Sequence, residues 1–590
     1  MNKLTCNAFR LSVKGLTMIF SVWFCLGMLC YVPNNGGSGL ALPLNALCWM
    51  VIAVSLVWLV FTLPREALFS RQTNLVLSPF WLLPLGGVLW SLPLLWSPSI
   101  TARFESLPHV VALWGLLCLL WWLRRLPRQM TLSSWLTVLW IAALLQGVFA
   151  FLQIAILSHT GDSLIQRPVG IFQQANVLAS FLATGLACLF ASEFCELNDR
   201  KRTQELRFLR SVALLFISFM LVLIQSRVGW LGAMLAGAII SVIHFRTDRV
   251  RLTIMWIHVL AGILLALAWQ HGVITSLLDL TNLNTTLLQL PEPFSVVNKA
   301  GSNSARIFIV QQTWQMIMHH PWVGSGYGSF EGAFARQVSL LGDATGESTL
   351  IHPHNEILYA WAEGGVLAVA GLLMMAASVL VMLWRRDGMG WVGLALLLPI
   401  ALHMNLEYPL YQSVPHGLVL VMLLSLVLPT AEITPPQERV ARTSTRCKIV
   451  TLKLLTVSVC IMTLFFMVGC LQSQNVLTAV ERQDMYPLAL NENEVVDSLW
   501  NPQSQQTRLD YDVHVAQLIR YNFIHDMRLL EQFEHWASRF QFQHKDPNVM
   551  ASRITIAHAI APEKFSALCA YAHRQWPGDP RFNCTVTAGK

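Results

Sequence analysis

Three arginines that lie apart from the strongly basic loops are the first candidates for binding chemistry. Arg167 opens the segment RPVGIFQQANVLASF, Arg227 lies in QSRVGW between two apolar runs, and Arg306 lies in NSARIFIVQQTW. A guanidinium group stays charged at any working pH and matches phosphate oxygens with paired hydrogen bonds. We therefore expect these arginines to bind a diphosphate, although Arg227 could instead be an anchor at lipid headgroups and Arg167 could simply end a membrane span.

A pair of histidines in the segment IHPHNEILYAWAEGG is the second candidate. His352 and His354 flank Pro353, which restricts the local backbone, and Asn355 follows where an apolar run begins. An imidazole that titrates near neutral pH can take a proton from a hydroxyl group. Zinc binding by HPH would need a third and a fourth ligand, and none follows nearby. Two interfacial histidines that bind headgroups or backbone are an equally good alternative.

Amide, phenol and carboxylate groups complete the candidate set. Gln174 and Asn176 lie in QQANVLASF just ahead of an apolar run, and Glu407 and Tyr408 lie in HMNLEYPLYQ. Such groups can orient a polar ligand by hydrogen bonds. An aromatic belt at the membrane border would explain the tyrosine equally well, but it would not explain the carboxylate.

The glycine-rich segment GSGYGSF at 324–330 is a weaker signal. It lacks the GxGxxG spacing and no strand–helix unit surrounds it, so we interpret it as a turn rather than as a phosphate-binding loop. The sequence has no CxxC motif and no His/Cys cluster, so neither a metal nor another cofactor is expected. Cys569 and Cys584 are compatible with a disulfide if their segment lies in an oxidising compartment.

These residues must be positioned by helices that cross a membrane. Of the 590 residues, 55% are hydrophobic and 12% are charged, whereas soluble proteins usually carry about 25% charged residues. Apolar stretches of roughly 17 to 25 residues recur up to residue 471, each long enough to cross a hydrocarbon core about 30 Å thick. The sequence therefore predicts an all-α polytopic membrane protein with about thirteen transmembrane helices. The predicted spans are 16–33, 43–62, 78–96, 106–123, 133–157, 176–194, 209–225, 228–244, 252–270, 357–384, 389–404, 413–429 and 449–471.

The distribution of lysine and arginine predicts the orientation. Basic residues concentrate in alternate loops, as at 200–210 and 439–448, and the intervening short loops carry few. The positive-inside rule then places the N-terminus in the cytoplasm and the C-terminus on the opposite side. Because the net charge of +8 arises at membrane borders, it does not indicate nucleic-acid binding.

The spans divide the chain into four segments. Apolar spacings of three and four predict packed amphipathic helices in the last of them. The segments are an N-terminal transmembrane region at 1–270, a large exoplasmic loop at 271–356, a C-terminal transmembrane region at 357–471 and a soluble helical domain at 472–590.

Taken together, these segments resemble the O-antigen ligase/polymerase superfamily, and more closely its protein O-oligosaccharyltransferase branch, the PglL type. HPHNEILYAWAEGGVLAVAG, after a large loop that contains RIFIVQQTWQMIMHHPWVGSGYGSF, is similar to the shared module of the superfamily. RPVGIFQQANVLASFLATG and EYPLY resemble motifs of the protein-transferring branch, and the likeness covers roughly residues 160–430. One departure is Ala175, where the branch usually has proline.

The resemblance implies a transferase of the bacterial inner membrane, with the loop and the C-terminal domain in the periplasm. It would move a preassembled oligosaccharide en bloc from undecaprenyl diphosphate to serine or threonine of periplasmic proteins, without a metal. His354 matches the family's essential loop histidine, Gln174 its motif glutamine, Tyr408 the tyrosine of its last motif, and Arg227 the arginine that faces the lipid diphosphate.

These matches give each candidate residue an expected role. We expect His354 to take the proton of the acceptor hydroxyl and Arg227 to hold the diphosphate. Gln174 and Tyr408 are expected to orient the sugar or the diphosphate by hydrogen bonds. The expected substrate-binding residues are Arg167, Asn176, Arg306, His352, Asn355 and Glu407.

Other functions stay open. An O-antigen ligase would use the same chemistry with lipid A-core sugar as the acceptor, and an O-antigen polymerase would lengthen the glycan. A transporter for lipid-linked sugars belongs to a different class and is disfavoured, because the polar candidates lie on one exoplasmic face rather than at the midplane.

Overall fold

The computed structural model describes residues 3–64, 67, 78–160, 167–195, 200–274, 300–339, 350–386, 388–430 and 442–583. Within these ranges the chain is helical and contains no strand, so the prediction of an all-α polytopic membrane protein is confirmed. The helices up to residue 270 are α1 (Lys3–Cys25), α2 (Pro43–Thr62), α3 (Leu82–Ser91), α4 (Ile100–Leu123), α5 (Arg128–Thr160), α6 (Ala175–Cys195), α7 (Arg200–Ile224), α8 (Arg227–His244) and α9 (Arg249–Gln270).

The remaining helices include short ones between longer apolar ones. The described part of the predicted loop at 271–356 contains two helices, α10 and α11. The helices after residue 299 are α10 (Ala300–His319), α11 (Phe330–Ser339), α12 (Glu356–Trp384), α13 (Gly388–Met404), α14 (Pro409–Gln412), α15 (Val414–Val427), α16 (Arg442–Glu481), α17 (Tyr486–Leu490), α18 (Glu492–Asp497), α19 (Gln506–Ile524), α20 (Met527–Gln543), α21 (Pro547–Ile560) and α22 (Pro562–Gln575).

Eleven helical segments in the described ranges are long and apolar enough to cross a membrane, and two shorter apolar helices, Met389–Met404 and Val414–Val427, accompany them. Each predicted span overlaps one of these segments. The ends differ most at the first and last segments, which are Thr5–Leu29 and Val450–Glu481. Hydropathy locates where an apolar run stops, but helical hydrogen bonding continues through the flanking polar residues.

The first of two compact units comprises 1–81, 115–298 and 377–468. Its centre is α6, which is almost entirely buried and packs against α5, α8 and α13. A Cβ atom at Gly229 of α8 would lie only 2.6 Å from the Cβ of Ala179. Small residues therefore bring α8 and α6 into the close contact typical of membrane helices.

The second unit comprises 82–114, 299–376 and 469–590. In its loop-derived part, Phe330 and Phe334 of α11 are buried in a cluster with residues of α10 and α12. In its C-terminal part, α19, α20, α21 and α22 pack in succession, with Phe533 and Trp536 in the core. This segment is therefore helical and its helices pack together, as predicted, while its role as a soluble domain stays a prediction. Cys569 is disulfide-bonded, and Cys584 lies outside the described residues.

Candidate functional site

In the first unit, two predicted amide side chains contact a buried carboxylate. Gln174 immediately precedes α6. Its backbone carbonyl oxygen accepts a hydrogen bond of 3.1 Å from the Leu178 N–H. Glu407 follows α13 and is only 3% exposed. Gln174 Nε2 lies 3.4 Å from Glu407 Oε2, and Asn176 Nδ2 donates to Glu407 Oε1. The structure therefore brings the neighbouring Gln174 and Asn176 together with Glu407, which lies more than 230 positions further along the chain.

Glu407 also contacts a chain of buried histidines that sequence reasoning missed. His403 Nε2 lies 3.3 Å from Glu407 Oε2, and His403 Nδ1 lies 2.7 Å from Ser180 Oγ. Ser180 Oγ lies 3.0 Å from His416 Nε2, and both imidazoles are fully buried. A signal was available for His403, because it lies in an apolar run four residues before Glu407, about one helical turn away.

Tyr408 lies beside this cluster in the sequence and is half-buried. It is the N-cap residue of α14. Burial and the neighbouring Glu407 carboxylate raise the pKa of its phenol above the ordinary value. Tyr408 is therefore a neutral hydroxyl group, able to donate and accept hydrogen bonds, across the physiological pH range.

The predicted arginines lie at or near the starts of helices. Arg227 is exposed and is the first residue of α8, after Ser226, whose side chain accepts a hydrogen bond from the Gly229 N–H. Arg167 is half-buried and shortly precedes the 3₁₀-helix Gly170–Phe172. Arg306 belongs to the second unit, where it is half-buried in the first half of α10.

In the second unit, the histidine pair has a defined internal geometry. The backbone N–H of His354 donates to His352 Nδ1 at 3.0 Å, and His352 Nε2 lies 3.5 Å from Glu356 Oε2. Because Nδ1 of His352 is an acceptor, the proton of this imidazole is on Nε2, facing the carboxylate. His109 of α4 adds a further imidazole, which interacts electrostatically with Glu356 and His352.

The two histidines differ in exposure and in backbone conformation. His352 is 3% exposed, whereas His354 is half-buried. His354 has a φ of 58°, in the left-handed region that non-glycine residues rarely adopt. Strain of this kind persists only where neighbouring contacts hold it, and it concentrates at functional sites. Asn355 next to it accepts the Leu358 N–H at 2.9 Å and so caps α12.

The glycine-rich turn at 324–330 is folded around a carboxylate of the same chain. Glu363 of α12 is 2% exposed and accepts the backbone N–H of Phe330 at 2.8 Å, together with those of Gly328 and Ser329. The N–H groups that a phosphate loop would offer to a ligand are thus bound to Glu363. The interpretation of the segment as a turn is confirmed.

This turn packs against α12 without room for side chains. α12 is interrupted at Gly365, which has a φ of 64°. A Cβ atom at Gly365 would lie 2.2 Å from the carbonyl oxygen of Trp322, and one at Gly324 would lie 2.4 Å from that of Glu363. The turn is therefore fixed, backbone against backbone, to the helix that begins two residues after His354.

A further ionic contact in the second unit holds the C-terminal segment. His544 Nε2 lies 3.0 Å from Glu105 Oε1, and His544 Nδ1 lies 3.0 Å from Glu331 Oε2. Burial acts to lower the pKa of His544, but the hydrogen bonds and charges of the two carboxylates outweigh it and raise the pKa to about 10. His544 is therefore an imidazolium at neutral pH. The described residues, this cluster included, contain no group of three or more His, Cys, Asp or Glu that could hold a metal ion.

Three protein-family models match the chain. An O-antigen ligase model matches residues 212–373, a model of the C-terminal part of a virulence factor membrane-bound polymerase matches 391–520, and a protein glycosylation ligase model matches 168–190. No curated protein matches it. The matched ranges contain Arg227 with the histidine pair, Glu407 with Tyr408, and Gln174 with Asn176, respectively.

Proposed function

We propose that this chain, which belongs to the superfamily of O-antigen ligases and protein glycosylation ligases, glycosylates proteins in the bacterial periplasm. Its family matches indicate a glycosyl-transferring enzyme of the membrane. The proposed reaction is the en bloc transfer of an oligosaccharide from undecaprenyl diphosphate to serine or threonine. The proposed orientation, with the N-terminus in the cytoplasm, follows from the asymmetry of basic residues.

One observation carries the choice of a protein as acceptor. The protein glycosylation ligase match at 168–190 is short, but it covers Gln174 and Asn176, whose amides bind the buried Glu407. The motif is therefore an ordered polar cluster with a carboxylate from the turn that follows α13, rather than a chance run of polar residues. This supports the branch of the superfamily that transfers glycans to proteins.

The proposed reaction is a single displacement at the anomeric carbon of the first sugar. The acceptor hydroxyl oxygen forms the new glycosidic bond while the bond from that carbon to the diphosphate oxygen breaks. Undecaprenyl diphosphate leaves with the bonding electrons. We assign Arg227, with Arg167 and Arg306, to this leaving group, because guanidinium groups stabilise developing phosphate charge without a metal ion.

His354 is the proposed general base that takes the proton of the acceptor hydroxyl. Its half-buried ring and left-handed backbone fit a side chain presented to a ligand. His352 is assigned a positioning role, since its Nδ1 binds the His354 N–H and its Nε2 faces Glu356. Removal of a general base typically costs about 10²–10⁴-fold in rate.

Two rivals within the superfamily have support of their own. The O-antigen ligase match at 212–373 favours a lipid A-core acceptor, and the polymerase match at 391–520 favours a growing glycan as acceptor. All three functions share the donor chemistry and differ in the hydroxyl that attacks.

The test is mass spectrometry of periplasmic proteins and lipopolysaccharide from cells that contain a defined lipid-linked glycan and the chain. We expect the glycan on periplasmic proteins, and we expect His354→Ala to lower its transfer about 100-fold or more. His319→Ala is the matched control, because His319 is an exposed histidine at the end of α10 and should retain full activity.

Other results would redirect or end the proposal. Glycan found only on lipopolysaccharide would identify a ligase, and lengthened glycan would identify a polymerase. Full transfer by His354→Ala would remove the proposed base. Activity that is lost with EDTA and restored by magnesium would contradict a metal-free mechanism.

A further inference from the structure

The orientation of the Gln174 side-chain amide is fixed by the groups around Glu407. Both carboxyl oxygens of Glu407 face nitrogen donors, with Gln174 Nε2 at 3.4 Å from Oε2 and Asn176 Nδ2 bonded to Oε1. A carboxylate can only accept hydrogen bonds, so Gln174 must direct its NH₂ group towards it. The amide oxygen of Gln174 then points away from Glu407.

The contact with His403 leaves this arrangement possible. Ser180 Oγ donates to the Val177 carbonyl at 3.1 Å and lies 2.7 Å from His403 Nδ1. His403 Nε2 lies 3.3 Å from Glu407 Oε2. A carboxyl oxygen has two lone pairs, so Oε2 can contact His403 and still accept a hydrogen bond from Gln174.

The side-chain oxygen of Gln174, on the side of the amide away from Glu407, has no hydrogen-bond partner in the described part of the chain. Gln174 Oε1 is buried and unpartnered, and the same is true of Gln412 Oε1. Gln412 lines a cleft together with Tyr31, Asn34 and Gln173, the residue that precedes Gln174. Buried acceptors without donors cost stability, and a ligand group that donates hydrogen bonds to them would remove that cost.

We propose that Gln174 Oε1 is a recognition point for an alcohol hydroxyl group and not for the diphosphate, and that Glu407 is the positioning residue that sets it. Ionised phosphate oxygens only accept hydrogen bonds, so they would be repelled by an amide oxygen, whereas a hydroxyl group donates to it. The hydroxyl belongs either to the glycan of the donor or to the acceptor serine or threonine. This inference rests on the proposed function and gives its motif glutamine a defined partner.

The test exchanges a carboxylate and an amide, first at position 407 alone and then at positions 407 and 174 together. In Glu407→Gln, the new NH₂ group faces the NH₂ group of Gln174. We expect the side-chain amide of Gln174 to rotate by 180°, so that its NH₂ group takes the place of Oε1. In the double variant Gln174→Glu/Glu407→Gln, the new amide donates to the new carboxylate, and an outward acceptor oxygen is restored. Asn176 then donates to the amide oxygen introduced at position 407. The NH₂ group introduced at position 407 faces both the carboxylate introduced at position 174 and His403 Nε2.

Kinetics with a purified undecaprenyl-diphosphate oligosaccharide and an acceptor peptide provide the measurement. We expect Glu407→Gln to lower kcat/KM about tenfold or more and the double variant to recover most of that loss. A raised KM for the oligosaccharide alone assigns the hydroxyl to the glycan, and a raised KM for the peptide alone assigns it to the acceptor. Unchanged constants in Glu407→Gln, or a double variant no better than the single one, would overturn the proposal.

A folding defect is separated from a recognition defect by two further measurements. Thermal unfolding in detergent reports whether each variant is folded. If Glu407→Gln is not, Gln174→Met decides, because it removes the oxygen at similar volume and should raise the same KM. Normal constants in Gln174→Met would contradict the inference. If the wild-type chain modifies lipid A-core or a growing glycan instead of protein, the proposed function fails, yet the same constants measured with that acceptor still test Gln174.

Discussion

Ala175 is a residue at which backbone geometry matters more than side-chain chemistry. It is the first residue of α6 and is 5% exposed. Gln174 precedes it, and Gln173, one residue earlier, has a left-handed backbone conformation. A proline at the first helical position breaks no intrahelical hydrogen bond, and its fixed φ suits the helix start. The proline that the related branch usually carries there would thus fit the turn seen here.

We therefore expect Ala175→Pro to keep the transfer rate within about twofold of the wild type, with unchanged thermal stability. The measurement is the glycosylation rate together with unfolding in detergent. Thr184→Pro in the middle of α6 is the contrasting variant and should lose about 3 kcal/mol or more of stability. An inactive but stably folded Ala175→Pro would show that the turn before α6 depends on alanine.

At the residue scale, the sequence predicted which polar residues belong to the candidate site, but it did not predict which of them contact one another. Gln174, Asn176 and Glu407 stand out as polar residues at the ends of apolar runs. No spacing rule joins Asn176 to a carboxylate that is 231 positions away. The buried Ser180 and His416 carry no signal in the sequence beyond being polar in an apolar segment. The roles predicted for the arginines and for the histidine pair stay predictions.

At the scale of elements, the break in α12 is the feature with the sharpest consequence. Gly365→Ala would place a Cβ atom 2.2 Å from the Trp322 carbonyl oxygen, at a residue whose φ is 64°. Backbone cannot move aside as a flexible side chain can, so both clash and strain have to be relieved by displacing the backbone at Trp322 and Val323, just before the turn at 324–330. We expect a loss of about 3 kcal/mol or more in stability, measured by thermal unfolding in detergent.

Gly301→Ala is the matched control for this prediction. Gly301 lies in the first turn of α10, and a Cβ atom added there meets nothing within 4 Å. Alanine stabilises exposed helical positions by about 0.5–1 kcal/mol relative to glycine. A Gly365→Ala variant that unfolds at the same temperature as Gly301→Ala would mean that α12 straightens without cost.

Helices were easier to predict than their ends and interruptions. Apolar length located each of the described helices that are long and apolar enough to cross a membrane, because a helix in lipid must satisfy its own backbone. It did not predict that α16 extends as one helix to Glu481, nor that the loop at 271–356 contains α10 and α11. The break at Gly365 was also not predicted, because two consecutive glycines are tolerated within a helix. The need for glycine at this position follows only from the close approach of the Trp322 backbone.

At the scale of the whole molecule, the assembly of the second unit depends on contacts between distant segments. Residues 82–114, 299–376 and 469–590 form it, and no local pattern specifies that these three belong together. His544 is a main link between them, because it contacts Glu105 of the first segment and Glu331 of the second. Thr507 adds a hydrogen bond of 2.7 Å to Glu105.

This link makes stability depend on pH in the alkaline range. The pKa of His544 is raised to about 10 in the folded chain from 6.5 in an unperturbed histidine. The folded state therefore binds the proton more tightly than the unfolded state does. The stabilisation is fully present below pH 6.5 and is lost as the pH rises towards 10. Lys545, next in the chain, acts in the opposite sense, because burial lowers its pKa to about 8 and its contribution grows as the pH rises.

His544→Gln separates the two effects, since it removes the titrating imidazole and leaves Lys545 in place. We expect the variant to be less stable than the wild type by about 3 kcal/mol at pH 7, because two half-buried carboxylates lose their cation. The difference between the two proteins should shrink steadily between pH 7 and pH 10, as measured by unfolding in detergent. His535→Gln, at an exposed position of α20, should follow the wild type throughout. Parallel pH curves for the wild type and His544→Gln would show that His544 does not hold the C-terminal helices as an imidazolium.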